Sequence, residues 1–149
     1  GLQRLQQIMD EYVGGIGTNY MTNENLLKKG LKNSHLVRIE SRIGLGVPDV
    51  NGCTNGQTYW LELKVSKGKR IPLSKYQKAW IYERSKFGGK VFVCARALPL
   101  SPLKVYDSSI VRGHGTPFPV LTLQHPYDWS KLEQLLGSSQ VPSENPVSR

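Results

Sequence analysis

The segment 47–65 constrains this chain more than any other. Residues 58–65 read Thr-Tyr-Trp-Leu-Glu-Leu-Lys-Val, an alternating run rich in β-branched and aromatic side chains, which predicts a strand. A short strand over 47–51 precedes it, and Asn51-Gly52-Cys53-Thr54-Asn55-Gly56 supplies a turn with two Asn-Gly signals. Side chains alternate along a strand, so Glu62 and Lys64 face one way and Leu61, Leu63 and Val65 the other. Pairing as a hairpin brings Asp49 beside Glu62. Two carboxylates and an ammonium then project from one edge of a sheet.

The flanking pattern predicts an α/β domain with a central mixed β-sheet flanked by helices. Thr22 or Asn23 can cap a helix running to about residue 32, with Leu26, Leu27 and Leu31 inward. Residues 36–42 alternate as a strand. Ser74 caps a second helix that ends before Gly88-Gly89. The nearly continuous apolar run 90–97 reads as a buried strand. Strands over 104–107 and 120–124 follow, then a helix capped by Asp128 or Ser130 that ends at Leu136. The expected organisation is a helical arm over 1–21, a single domain over 22–136 and a flexible polar tail over 137–149.

The acid–acid–lysine set has a chemistry. Mg²⁺ or Mn²⁺ prefers oxygen ligands, and Mg²⁺ keeps several of its waters. Asp49 and Glu62 can each give a carboxylate oxygen, and the Leu63 backbone carbonyl a third. A cation there would polarise a phosphate and acidify a bound water. Lys64 could neutralise charge that builds on the phosphorus centre. Glu-x-Lys alone decorates the wet face of many strands; Pro48-Asp49 upstream, across an Asn-Gly turn and behind a glycine-bearing approach, singles this pair out.

These residues resemble the signature of the PD-(D/E)xK nuclease superfamily. The finer pattern is similar to its VRR-NUC branch and to small phage-type, Holliday-junction-resolvase-like proteins. Arg38-Ile39-Glu40, Gly46-Val47-Pro48-Asp49-Val50-Asn51, Trp60-Leu61-Glu62-Leu63-Lys64, Gln77 on the following helix and Gly88-Gly89-Lys90-Val91-Phe92-Val93 carry the likeness, which covers about residues 22–110. It implies a restriction-endonuclease-like core and a metal-dependent nuclease that hydrolyses DNA. Asp49 and Glu62 would hold the metal and Lys64 would be catalytic. Gln77 would face the site, contacting DNA or a metal-bound water. An acid from the first core helix would complete the ligand set; Glu24 falls there, and Glu40 is the second candidate.

The chain carries a formal charge of +9. That excess points to a polyanion. Between Lys64 and Lys90 stand nine basic residues and a single acid, Glu83. Lys67, Lys69, Arg70, Lys75 and Lys78 follow the proposed catalytic strand and would meet a phosphate backbone passing it. The expected partner is therefore a nucleic acid, and the resemblance implies DNA, branched or single-stranded forms included; one small domain has little surface for reading sequence, which favours structure-selective or nonspecific cutting. A four-way junction would favour a symmetric homodimer. Tyr76 and Trp80 read as core rather than as a stacking platform, and Cys53 falls in the turn.

Two rivals stand beside this reading. An RNA endonuclease of the cap-snatching kind shares the frame but calls for a histidine in the first helix, and none stands between Gln3 and Asn33. A noncatalytic nucleic-acid-binding module would not need an intact acid–acid–lysine set. His114, in a glycine loop, is a weak candidate base. Walker-type, dinucleotide and Ser-His-Asp motifs are absent. No apolar run predicts a membrane span or a signal peptide, and Cys53 and Cys94 show neither metal spacing nor a disulfide framework. The expectation is an intracellular protein; the resemblance implies the cytoplasm of a bacterium or a phage-infected host.

Overall fold

A computed structural model of the protein describes residues 22–40, 44–113 and 115–139. The expected arm over 1–21, His114 and tail residues 140–149 lie outside the described residues. The described part is a six-stranded sheet with three α-helices and a short 3-10 turn. In chain order the elements are α1 (Asn23–Gly30), β1 (Ser34–Arg38), β2 (Val50–Thr54), β3 (Gln57–Val65) and α2 (Lys75–Lys86). Then come β4 (Val91–Arg96), β5 (Leu103–Tyr106), the 3-10 turn Ser108–Val111, β6 (Leu121–Leu123) and α3 (Trp129–Leu136).

Strands lie in sequence order across the sheet. Neighbours are antiparallel except β3 and β4, which are parallel and joined by α2. A parallel pair needs such a crossover. The class is α/β, a mixed sheet flanked by helices. Its restriction-endonuclease-like order runs helix, three antiparallel strands, crossover helix, parallel strand.

Alternation divides the core between the two faces. Tyr59 and Leu61 of β3, with Val50, Phe92, Cys94, Leu103 and Val105, pack against Leu27 and Leu31 of α1 and Leu132 and Leu136 of α3. The opposite face carries Val91, Val93, Ala95 and Tyr106 under Ile81 of α2, with Trp60 and Trp80 against them. Glu62 and Lys64 share the Trp60 face, so the polar pair looks toward α2.

Caps set the helix starts. The Thr22 hydroxyl accepts from the Asn25 N–H at 3.0 Å. Asp128 accepts from the Ser130 N–H at 3.2 Å. Ser74 and Gln77 form a reciprocal capping box at the head of α2.

Two expectations need correction. The hairpin turn is Asn55-Gly56 alone, with φ of +52° and +77°, the left-handed pair that a tight two-residue hairpin demands. Asn51-Gly52 and Cys53 lie inside β2, because buried Val50, Gly52 and Thr54 carry the strand through to Thr54. Strand β1 stops at Arg38, earlier than the alternation suggested. At the end of α3 the Lys90 ammonium donates to the carbonyls of Leu136 at 2.8 Å and Ser138 at 2.7 Å, closing the helix C-terminus with positive charge.

Candidate active site

Proline opens the site. In the β2–β3 ladder Val50 pairs with Leu61. Extending that register sets Asp49 across from Glu62 and Pro48 across from Leu63. Pro48 has no N–H, so it cannot donate to the Leu63 carbonyl and the ladder ends there. Asp49 takes over: its Oδ2 accepts the Leu63 N–H at 2.8 Å. The Leu63 carbonyl points to the same edge as its N–H, toward Pro48, which has no N–H to offer it. On the other side, the Asp49 carbonyl accepts the Ile39 N–H at 2.8 Å, which pins Asp49 between β1 and β3.

Glu62 is nearly sealed from water, with 3% of its surface exposed. Its Oε2 accepts from the Gln77 side-chain amide at 2.9 Å and lies 3.4 Å from the Lys64 ammonium. Lys64 in turn donates to Gln77 Oε1 at 3.0 Å. The Gln77 amide orientation is set from the helix side, because the same Oε1 accepts the Ser74 N–H at 2.9 Å. One capping residue therefore bridges the acid and the lysine.

Burial, and next the Asp49 charge, push the Glu62 carboxyl up to about 7 against the pull of Lys64. Asp49 keeps an exposed edge, yet the loss of surrounding water still raises its carboxyl despite the Leu63 N–H and Lys64. Two adjacent carboxyls that are both raised mark a spot short of positive charge. With the Leu63 carbonyl they are an all-oxygen donor set, which fits Mg²⁺ or Mn²⁺; Mg²⁺ is commonly held by one or two carboxylates. Among the described residues, no three His, Cys, Asp or Glu side chains group closely enough to hold a metal.

The remaining predicted residues fall around this centre. Glu24 is close enough to raise the Asp49 carboxyl further. Its carboxylate is engaged by Arg38 at 3.0 Å and Lys28 at 3.4 Å. Glu40 follows the end of β1 and is exposed, and among the described residues it forms no ion pair with the cluster. Lys67, Lys69 and Arg70 are exposed on the loop after β3, which the Ser66 hydroxyl ties down by donating to the Arg70 carbonyl at 3.0 Å. Lys75 and Lys78 are exposed on the first turns of α2.

Two neighbours escaped the sequence reading. Buried Asn23 donates from its amide to the Lys64 carbonyl at 3.1 Å, docking α1 on the end of β3. Arg38 reaches Glu24 rather than Glu40. The Arg38–Glu24 pair spans fourteen residues, so no local spacing announces it. Cys94 is fully buried, and burial pushes its thiol up to about 12, so it is an inert core group. Trp80 packs in the core as expected, whereas Tyr76 is 47% exposed.

Gly46 fixes the loop that delivers Asp49. Its φ is +81°, and a Cβ there would stand 2.2 Å from the Tyr76 carbonyl oxygen in α2. Gly46→Ala therefore meets both backbone strain and a backbone clash. It is expected to destabilise the fold by ~1–3 kcal/mol, read as a lowered denaturant midpoint, and to displace Asp49. An unchanged midpoint would mean that the loop does not pack on α2.

The fold is similar to that of Hjc, a Holliday junction resolvase from the archaeal hyperthermophile Archaeoglobus fulgidus, with a TM-score of 0.48 and 17% identity over 69% of this chain and 85% of that chain. No protein-family model and no curated protein matches the sequence. Among the described residues no helix is long and apolar enough to cross a membrane.

Proposed function

We propose that this chain is a metal-dependent nuclease of the PD-(D/E)xK superfamily, VRR-NUC-like, that hydrolyses phosphodiester bonds in DNA. The observation that carries the reading is the convergence of Asp49, Glu62 and Lys64 at the end of β3, with Gln77 tying the last two together. Asp49 and Glu62, with the Leu63 carbonyl, would hold Mg²⁺ or Mn²⁺. Glu24 would join or support that set once freed from Arg38. The ion supplies charge that polarises the scissile phosphate and lowers the pKa of water.

The protein's own groups do the rest. Gln77 holds the Lys64 ammonium in place through its Oε1. Lys64 then faces the phosphoryl oxygen on which negative charge builds, and stabilises it without reorganising. Glu62, deprived of water, binds its cation or its proton and little else. Lys67, Lys69, Arg70, Lys75 and Lys78 hold the phosphate backbone on either side. A single small domain of this kind suits structure-selective or nonspecific cutting, as in bacterial or phage DNA processing inside the cell. Symmetric cutting of a four-way junction would call for two copies.

The test is a panel of supercoiled plasmid, single-stranded DNA, branched DNA and RNA with Mg²⁺, Mn²⁺ or EDTA. The proposal expects DNA cleavage with either metal and none in EDTA. Binding without cleavage in any metal would instead leave a noncatalytic nucleic-acid-binding module. Preference for RNA would favour the cap-snatching kind of enzyme.

A further inference from the structure

Helix α2 buries a single residue, Ile81, and its inner side also holds Gln77 and Trp80. Arg84 lies over the rings of Trp80, at 4.6 Å, and Trp60, at 5.4 Å. At 3.6 residues per turn, Lys75, Lys78, Tyr82 and Lys86 line up in one row on the other side. All four are exposed. The Lys86 ammonium stands 5.9 Å from the Tyr82 ring, and that of Lys75 5.2 Å from the ring of Tyr76. Tyr82 is 45% exposed, and Phe87, just past the helix end, 83%. The row starts in the first turn of α2, which also carries Gln77, whose amide touches both Glu62 and Lys64 from the inner side of the helix. It then leads away along α2 for about 16 Å.

We propose that this outer face of α2 is a binding track for single-stranded DNA that starts at the helix end nearest the hydrolytic centre. The lysines match a phosphate backbone in charge, and Glu83 is the only acid among the basic residues of this stretch. Charge alone would serve a duplex equally well. The exposed ring in the row decides between them: an unpaired strand can stack a base on Tyr82, whereas a duplex keeps its bases inside. Lys86 leaning on the Tyr82 ring leaves that platform next to a cation, which suits a nucleotide's base and phosphate together. The track deepens the nuclease reading by naming the strand state of its substrate, but it does not depend on cleavage.

Fluorescence anisotropy with a labelled oligothymidylate, and with a duplex of equal length, tests the track in EDTA, where nothing is cut. The single strand is expected to bind more tightly than the duplex. Tyr82→Ala should weaken single-strand binding about tenfold or more and leave duplex binding within about twofold; the retained duplex binding shows that the variant is folded. Tyr82→Phe keeps a ring and should keep the affinity. Lys78→Ala combined with Lys86→Ala should lower the slope of log affinity against log salt by about 1.4. Equal affinity for both forms, no binding to the single strand, or a Tyr82→Ala loss equal on both overturns the proposal. Loss confined to the single strand, in a protein that never cuts, would keep the track and remove the nuclease.

Discussion

Lys64→Ala is expected to slow DNA cleavage about 10²–10³-fold, with DNA binding changed no more than a few-fold. The reason is placement rather than charge count. Many lysines and arginines surround this site, but it is the Lys64 ammonium that is held against the two site residues, 3.0 Å from Gln77 Oε1 and 3.4 Å from Glu62. A fixed cation stabilises developing negative charge without first reorganising; a mobile surface lysine must be ordered at each turnover. Lys64→Arg should not rescue the rate, because a planar guanidinium cannot occupy the same narrow place between Gln77 and Glu62. Lys69→Ala, on the exposed loop, is the contrast: it should weaken binding and flatten its salt dependence while leaving the bound-state rate unchanged. Single-turnover cleavage with saturating enzyme separates the two effects. Equal losses in both variants would reduce Lys64 to one more phosphate contact.

Glu62→Gln is expected to do two opposite things, abolishing cleavage while stabilising the metal-free protein at alkaline pH. The Glu62 carboxyl stands at about 7 in the folded protein against an ordinary 4.5. A raised acid favours the folded state when protonated. Its contribution is therefore fully present below about pH 4.5 and is lost as pH rises through about 7. That difference corresponds to ~3 kcal/mol at most, less whatever Lys64 returns to the charged form. The substituted amide carries no charge at any pH, so the variant escapes the loss. Denaturant midpoints in EDTA should coincide near pH 4, separate as pH rises from about 4.5 to 7 and stay apart above, the variant being more stable by ~1–2 kcal/mol. Added Mg²⁺ should raise the wild-type midpoint and leave that of the variant unmoved. Parallel pH profiles in the two proteins would mean that Glu62 carries no such strain. The pattern is that of a functional group kept at the expense of stability.

Much of this was legible locally. Alternation along β3 put Glu62 and Lys64 on one face, and Ser74 gave the helix start; Gln77 came from the family likeness, not from spacing. Asp49 could be set across from Glu62 because hairpin pairing follows from the turn. The strand boundaries were harder: two Asn-Gly pairs compete for that turn, and only the burial of Gly52 and Thr54 in the packed sheet decides for the second. Glu24 with Arg38, and Asn23 with the Lys64 carbonyl, join elements far apart in the chain, so they depend on how α1 docks on the sheet. Tyr76 and Trp80 show the limit of spacing: they are one turn apart, yet one is in solvent and the other packs on Trp60, with ring centroids 5.2 Å apart.

The most direct measurement is a Mn²⁺ titration, followed by electron paramagnetic resonance, of the intact protein and of its Asp49→Asn and Glu62→Gln variants. A shared hard-cation site predicts saturable Mn²⁺ binding in the wild type, competed by Mg²⁺ and lost in each variant. Binding that persists unchanged in both variants, or cleavage by a protein that binds no Mn²⁺ there, would contradict it.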